Sequence, residues 1–490
     1  MPPKTQYTIL VLILISGFAV RLYKIDNPVA DWHSWRQADT AAVTRNFVRY
    51  GVNPLIPRYD DFSDVSGNGL FNPNGFRFVE FPVFNLIHYS LFSLFPFKSL
   101  EYWGRMTSVL AALVSAYLIF LLVRRHTTPK TGLLAAFFYL FLPFNIYFTR
   151  VILPDPLMVT LYLAALNFFD MWLVSHKPSI LTLGAVTGAL AVMVKPVALF
   201  FLLPVFWQLI KKEGLRLYRS RAAIILLGAY IIPFLIWRTW EHRHPEGIPA
   251  SIWLLNGDHI RFKGAFFRWI FGERLGNIIL GNWGVFPLGS GIIAAFAISG
   301  YFATWIPAAL LYLFTFATGN VRHDYYQIPV IPVIAILLAL GVAHSWRAEA
   351  GFTRTWSKRI LVLTSVIFML AFSWYTIRGN YQINHWEIIH AGQAVDGLTP
   401  KDAKVIANYN GDTAFLYATN RRGFTHLPLP IKDLIDRYGI SYYVSVNFDD
   451  QTRAIMNKYI VLQESPEYVI VKLEEWRGLD PKPTPIPVDL

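Results

Sequence analysis

The chain has 490 residues, of which 54% are hydrophobic and only 15% are charged. An average soluble domain carries about 25% charged residues, so a single soluble core is excluded. The net charge of +13 lies mostly in short basic clusters between apolar runs, which argues against a nucleic-acid-binding surface and for a membrane topology signal. Cysteine is absent, which excludes disulfide bonds and thiolate metal sites.

Apolar stretches long enough to cross a bilayer recur along most of the chain. A bilayer core needs about 20 apolar residues per helix. The candidate spans are 6–22, 106–123, 132–149, 156–174, 179–195, 196–210, 222–238, 283–299, 301–318, 328–345 and 359–376. The sequence therefore predicts an α-helical polytopic membrane protein with about 11 transmembrane helices.

The basic loops orient these spans. Short loops rich in Lys and Arg remain cytoplasmic, and a cytoplasmic N-terminus places all of them on that side. These loops are 124–131, 175–178, 211–221 and 346–358. The first apolar run lacks a small-x-small cleavage site, so we interpret it as a retained span. We expect a multi-pass protein of the cell membrane whose C-terminal segment is extracytoplasmic.

Composition divides the chain into three parts. A transmembrane domain over 1–376 includes an outer loop, 23–105, in which interfacial helices are expected at 38–50 and 83–95. The more polar segment 377–478 predicts a small extracytoplasmic α/β domain, and 479–490 is a Pro-rich tail. The expected strands and helices of the α/β domain are 405–407, 431–438, 441–446, 451–459 and 468–473.

Two acids follow the first span. Between Asp31 and Asp39 lie His33, Arg36 and Gln37. On a helix, Arg36 and Asp39 would be i,i+3 neighbours, and a guanidinium keeps a carboxylate ionised and oriented, as a general base requires. An interfacial helix with an aromatic belt explains the same residues equally well.

Two further ionisable residues stand at the edges of apolar spans. Asp155, between two prolines, could face a cavity or cap a helix that continues through Pro156. Lys195 interrupts an apolar run, and an intramembrane lysine is a functional candidate because burying its charge is costly. It would suit a phosphate anchor, or it could extend to the interface from the end of a short span.

Other polar residues join the candidate site with weaker support. Glu80 precedes a proline-containing helix start, where an acid often serves only as a partner of the helix dipole. Arg150 and the cluster His323, Tyr325 and Tyr326 are expected on the outer side, where they could bind a phosphate and sugar hydroxyls. The tyrosines could equally be interface anchors.

These residues together resemble the GT-C glycosyltransferases, and in particular glycosyltransferase family 39, which includes protein O-mannosyltransferases and aminoarabinose transferases. The resemblance covers about residues 6–345. It rests on Arg21-Leu22, Arg36-Gln37-Ala38-Asp39-Thr40, Glu80-Phe81-Pro82, Arg150 to Asp155, Lys195-Pro196 and His323 to Pro329. Family members usually carry adjacent Asp-Glu in the first loop, whereas this chain separates its acids.

The resemblance implies transfer of a sugar from a polyprenyl-phosphate donor to an acceptor outside the cytoplasmic membrane. It implies that Asp39 or Asp31 is the catalytic base, with Asp39 favoured because Arg36 could orient it. It makes Asp155 the second carboxylate and Lys195 a phosphate ligand. The remaining candidate substrate-binding residues are Arg36, His33, Glu80, Arg150, His323, Tyr325 and Tyr326.

The sequence leaves several partners open. The acceptor could be a protein, a lipid or a glycan, and the spans imply contact with membrane lipids but not with nucleic acid. A divalent metal ion could assist the acids, although their spacing does not call for one. The alternative function is a transporter or flippase for a lipid-linked or polar solute, which would favour an inverted repeat that this sequence lacks.

Overall fold

The computed structural model describes residues 2–298, 300–347 and 352–475, so the predicted Pro-rich tail at 479–490 lies outside the described residues. Helices dominate the chain. In chain order they are α1 Pro3–Arg21, α2 Ser34–Tyr50, α3 Val83–Leu94, α4 Leu100–His126, α5 Pro129–Phe141, α6 Pro143–Phe148, α7 Asp155–Ser175, α8 Pro178–Val194, α9 Ala198–Phe201, α10 Leu203–Glu213, α11 Arg221–Glu241, α12 Trp253–Asn256, α13 Gly264–Phe267, α14 Val285–Ile298, α15 Gly300–Ala303, α16 Trp305–Thr315, α17 Ala317–Arg322, α18 Ile331–Ser345, α19 Phe352–Ile377, α20 Trp386–Leu398, α21 Thr413–Ala418, α22 Ile431–Tyr438 and α23 Asp450–Lys458. The strands are β1 Lys404–Asn408, β2 Arg422–Phe424, β3 Tyr442–Ser445, β4 Tyr459–Glu464 and β5 Val469–Glu475.

The chain forms two compact units. The helical unit contains residues 1–25, 104–240 and 251–381, and the sheet unit contains residues 26–103, 241–250 and the chain from 382 onward. The sheet unit thus includes most of the long loop after α1. The limit at 376 concerns where the membrane ends, which packing does not test, and the limit at 478 lies outside the described residues, so both stay predictions.

Long apolar helices make the chain a multi-pass membrane protein. Six helical stretches of the described residues are long and apolar enough to cross a bilayer. They are α1, α4, α7, α11, a stretch Asp324–Ser345 that ends in α18, and a stretch beginning at Thr353 in α19. Shorter apolar helices include α8 and α14. The polytopic helical class is confirmed, while the count of eleven spans and the orientation of the termini stay predictions.

Prolines interrupt the helices at one place within a predicted span and at one place between two predicted spans. The span expected at 132–149 is divided, because α5 ends at Phe141 and α6 begins at Pro143. The interruption predicted at Lys195-Pro196 is present, since α8 ends at Val194 and Lys195 has the extended backbone that a following proline favours. That break leaves Lys195 at the end of α8 rather than within it.

Two glycines bring α14 and α18 into close contact. A Cβ atom on Gly291 would lie 1.8 Å from the carbonyl oxygen of Leu337, and one on Gly341 would lie 1.8 Å from that of Pro287. Small residues commonly allow such backbone approach between membrane helices. Any side chain at either position would force the two helices apart.

The sheet unit is built on five strands in the order β2-β1-β3-β5-β4. β1 is parallel to both β2 and β3, whereas β5 is antiparallel to β3 and β4. The core includes Ile406, Phe424 and Val471, and Phe62 from the loop after α1 packs into it with its ring 5.9 Å from that of Phe424. The predicted α/β class of the C-terminal segment is confirmed.

The helices expected in the first outer loop are present as α2 and α3. The segment 51–82 between them forms no helix or strand and makes only two isolated bridges, one of which joins Asp61 to Gly423. This irregular segment returns along α2 and brings several charged residues to it.

The contact between α14 and α18 gives a testable prediction. Gly291→Ala should lower the melting temperature of the purified protein in detergent, because overpacking a close contact costs about 1–3 kcal/mol. Gly289→Ala on the same helix is the matched control, since a Cβ atom there meets nothing within 4 Å. Equal melting temperatures for the two variants would contradict this packing.

Candidate functional site

In the helical unit, Lys195 forms a buried ion pair with Asp155. The Lys195 Nζ atom lies 2.8 Å from both carboxylate oxygens of Asp155. Only 14% of the Lys195 side chain and 3% of the Asp155 side chain are exposed. Asp155 is the first residue of α7, where the helix dipole also favours a negative charge. The residue at the cap position is Pro154, so the cap explanation of Asp155 does not hold.

Aromatic rings surround this pair. The Lys195 Nζ atom lies 5.7 Å from the ring centres of both Tyr325 and Tyr326, within the range of a cation–π contact. The His323 ring stacks on both tyrosines at 5.5 and 6.2 Å. The hydroxyl of Tyr312 donates to the Tyr326 carbonyl at 2.7 Å, which fixes the backbone there. The structure therefore brings five of the predicted residues together: Asp155, Lys195, His323, Tyr325 and Tyr326.

Arg150 lies in a different setting within the helical unit. Its side chain is fully buried, its guanidinium donates to the Lys24 carbonyl at 3.3 Å, and the rings of Tyr147 and Tyr381 lie 5.6 and 4.8 Å away. These contacts join the end of α1 to α6 and to the segment after α19. A structural role accounts for them, and a role in substrate binding stays a prediction.

In the sheet unit, only one carboxylate oxygen of Asp39 accepts a hydrogen bond from a described residue. Arg77 Nη2 donates to Asp39 Oδ2 at 2.6 Å, whereas the buried Oδ1 atom has no hydrogen-bond partner among the described residues. The Arg77 guanidinium also lies 4.8 Å from the ring centre of Tyr59. This carboxylate is oriented, and its buried Oδ1 atom accepts no hydrogen bond from a described residue.

The expected pairing of Arg36 with Asp39 differs from the structure. Arg36 forms a salt bridge with Glu80, and both side chains are nearly buried. The returning segment 51–82 supplies both Glu80 and Arg77, and each pairs with a residue of α2. Glu80 is thus a partner of Arg36, and Arg77 takes the orienting role that we had expected of Arg36. Sequence spacing gave no signal for Arg77.

Asp31 is also buried and oriented, 2% exposed, with its Oδ1 atom accepting from Gln37 Nε2 at 2.6 Å. His33 precedes α2 with a positive φ of 56°, which turns the chain into the helix, and its ring lies 5.0 Å from that of Trp32. The sheet unit therefore holds both predicted acids in fixed positions. Neither position by itself decides which acid is the base.

Asp61, another acid of the sheet unit, was not predicted. Burial raises the pKa of Asp61 from 3.8 to about 6, and the negative charge of Asp39 adds to the rise. Hydrogen bonds from the Ser63 amide and hydroxyl, at 2.9 and 2.7 Å, oppose it. Among the described residues, no group of three or more His, Asp or Glu side chains is arranged to hold a metal ion.

Comparisons with known proteins bear on the fold and the family. The family model described as dolichyl-phosphate-mannose-protein mannosyltransferase matches residues 80–240. No curated protein sequence matches the chain. ArnT from Cupriavidus metallidurans, solved bound to undecaprenyl phosphate, is similar in structure with a TM-score of 0.68 and 13% identity, over 95% of this chain and 98% of that chain.

Archaeal structures extend the likeness. The Archaeoglobus fulgidus oligosaccharyltransferase without ligand has a TM-score of 0.59 and 11% identity, over 90% of this chain and 69% of that chain. AglB from the same organism, in complex with an inhibitory peptide and a dolichol-phosphate, has a TM-score of 0.54 and 10% identity, over 96% and 75% of the two chains. The chain has the GT-C fold, and its resemblance to glycosyltransferase family 39 is confirmed.

The buried Asp61 gives a prediction about pH. A carboxyl whose pKa is raised on folding contributes stability that is complete below about pH 3.8 and is lost as the pH rises through about 6. Asp61→Asn mimics the protonated acid, so it should raise the melting temperature more at pH 7.5 than at pH 5. Asp436→Asn, which changes an exposed acid of the same unit, is the control. An Asp61→Asn effect that is equal at both pH values would contradict the burial argument.

Proposed function

We propose, from the GT-C fold and the buried carboxylates, that the chain transfers a glycosyl unit from a polyprenyl-phosphate donor to an acceptor on the extracytoplasmic face of the membrane. Two solved proteins of this fold were captured with undecaprenyl phosphate or a dolichol-phosphate, which supports a lipid-phosphate carrier.

This proposal rests on the Asp39 carboxylate, in which Oδ2 accepts a hydrogen bond and Oδ1 accepts none from the described residues. A general base must be ionised, oriented and able to accept one more hydrogen bond. The Arg77 guanidinium binds Asp39 through Oδ2 and fixes the orientation of the carboxylate. The Oδ1 atom would then accept the proton of an acceptor hydroxyl or amine. Asp31 is the second candidate, since its Oδ1 atom already accepts from Gln37.

Lys195 is assigned to the donor phosphate. A lysine ammonium carries three N–H donors, so one ammonium can serve both a carboxylate and a phosphate oxygen. Asp155 holds the ammonium at the end of α8, and the rings of Tyr325 and Tyr326 limit its movement. A fixed cation stabilises the charge that develops on the leaving phosphate without needing to reorganise during the reaction.

The proposed reaction is a direct displacement. The acceptor atom forms a bond to the anomeric carbon of the sugar while the bond from that carbon to the phosphate oxygen breaks. Asp39 takes the acceptor proton, and the polyprenyl phosphate leaves with the bonding electron pair. One displacement inverts the anomeric configuration, so the product anomer tests this route.

Removing the base charge should slow the reaction. Asp39→Asn keeps an oxygen for Arg77 but cannot accept a proton, so the transfer rate should fall by about 10²–10⁴-fold. Asp31→Asn should cause a smaller loss. The measurement is the release of free polyprenyl phosphate from a labelled lipid-linked sugar donor by the reconstituted protein.

Asp436→Asn is the matched control for expression and folding. If Asp39→Asn retains wild-type turnover while Asp31→Asn abolishes it, the base is Asp31. If both variants fold and turn over normally, neither acid is the base. If vesicles instead accumulate a solute and no donor is consumed, transport is the function.

Removing the phosphate ligand should weaken donor binding. Lys195→Ala should raise the donor concentration for half-maximal rate by about 10- to 100-fold, because a hydrogen bond to a charged group contributes about 1.5–3 kcal/mol. Asp155→Asn combined with Lys195→Ala avoids an uncompensated buried charge and guards against misfolding. Lys130→Ala, at an exposed lysine, is the control. Unchanged donor dependence in both Lys195 variants would remove Lys195 from the phosphate site.

A further inference from the structure

The sheet unit contains a cavity of about 410 Å³ whose residues the reaction above does not use. Small-molecule sites commonly have volumes of about 300–1,000 Å³. Its lining residues are Trp35, His385, Tyr409, Asn410, Gly411, Asp412 and Thr413. Most of them belong to the loop that joins β1 to α21.

This loop lies at a place in the sheet where ligands commonly bind in α/β proteins. β1 lies between β2 and β3 and is parallel to both, and the cavity loop follows directly from its carboxyl end. In open α/β sheets, ligands bind outside the carboxyl ends of parallel strands, at the point where the connections from adjacent strands run in opposite directions. Asn410 and Gly411 have φ values of 49° and 75°, so the loop turns sharply there and opens the space.

The lining has the chemistry of a sugar site. Trp35, His385 and Tyr409 supply ring faces against which the C–H face of a pyranose can pack, and the His385 and Tyr409 rings lie 5.5 Å apart. Asp412 caps α21 by accepting from the Ala414 amide at 2.7 Å through Oδ1, and its Oδ2 atom has no partner among the described residues. The lining contains no Lys or Arg, which disfavours a phosphate or another anion.

The cavity lies beside the candidate base. Trp35 and Asp39 are one turn apart on the same face of α2. The Thr413 hydroxyl donates to the Trp35 carbonyl at 3.1 Å, which ties the cavity loop to α2. Burial raises the pKa of Asp412, and the charge of Asp39 adds to that rise, so the two carboxylates are close enough to interact.

We propose that this cavity binds an uncharged sugar residue of the acceptor, so that the C-terminal α/β segment selects a glycan and presents its hydroxyl to Asp39. The part that concerns Asp39 rests on the proposed function, whereas binding of the sugar does not. The rings hold the C–H face of the sugar, and Asp412 Oδ2 accepts from one of its hydroxyls.

Binding is measured without turnover. The full-length protein in nanodiscs is mixed with methyl α-mannoside, methyl α-glucoside, methyl N-acetyl-β-glucosaminide or a serine-containing hexapeptide, and saturation-transfer NMR reports contact. At least one glycoside should give a signal that falls about 10-fold or more in Tyr409→Ala and Asp412→Asn. Asn is also a good helix cap, so Asp412→Asn should leave α21 intact. Asp39→Asn and Asp436→Asn should keep the signal.

Three results would overturn the assignment: no glycoside signal, a glycoside signal that persists in both cavity variants, or a signal from the hexapeptide alone that depends on Tyr409. A glycoside that binds through Tyr409 and Asp412, in a protein that consumes no lipid-linked donor, would leave the sugar site standing and reject the proposed transferase reaction. The two proposals therefore fail separately.

Discussion

A charge inside a low-dielectric protein is stable only when an opposite charge or several hydrogen bonds lie against it. Three pairs of buried charges obey this constraint: Asp155 with Lys195, Glu80 with Arg36, and Asp39 with Arg77. Each pair joins segments distant in sequence, so the pairs fix the ends of α7 and α8 and the path of the irregular segment over α2. Removing one partner of such a pair leaves the other charge buried without compensation, which destabilises the folded protein.

The pairs differ in how completely they are satisfied. Lys195 reaches both oxygens of Asp155, whereas Arg77 reaches only one oxygen of Asp39. The unpaired oxygen of Asp39 is a cost that the fold tolerates, and such costs are concentrated at functional sites. An oriented carboxylate with one open oxygen suits proton transfer, whereas a lysine fixed by a carboxylate suits charge stabilisation.

The sequence predicted what depends on local pattern. Apolar runs indicated the polytopic helical fold, the Lys195-Pro196 pair marked the end of α8, and short apolar segments of the polar C-terminal region indicated β1, β3 and β5. It did not predict Arg77, which lies 38 residues from Asp39, because no local pattern reports a contact at that separation. The short strand β2 was missed for the same reason, since its pairing with β1 is not local, and the strand β4 and the cavity loop after β1 were also missed. The proline in the third predicted span was visible, but its effect on the helix was not anticipated.

The role of Lys195 in holding the donor phosphate is tested most directly by a cryo-electron microscopy structure of the protein in nanodiscs with undecaprenyl phosphate. The lipid phosphate should lie within about 3 Å of the Lys195 Nζ atom, with Asp155 still bound to the same ammonium. Phosphate density held by other cations, with Lys195 paired to Asp155 alone, would contradict the assignment of Lys195 to the donor and with it the proposed reaction.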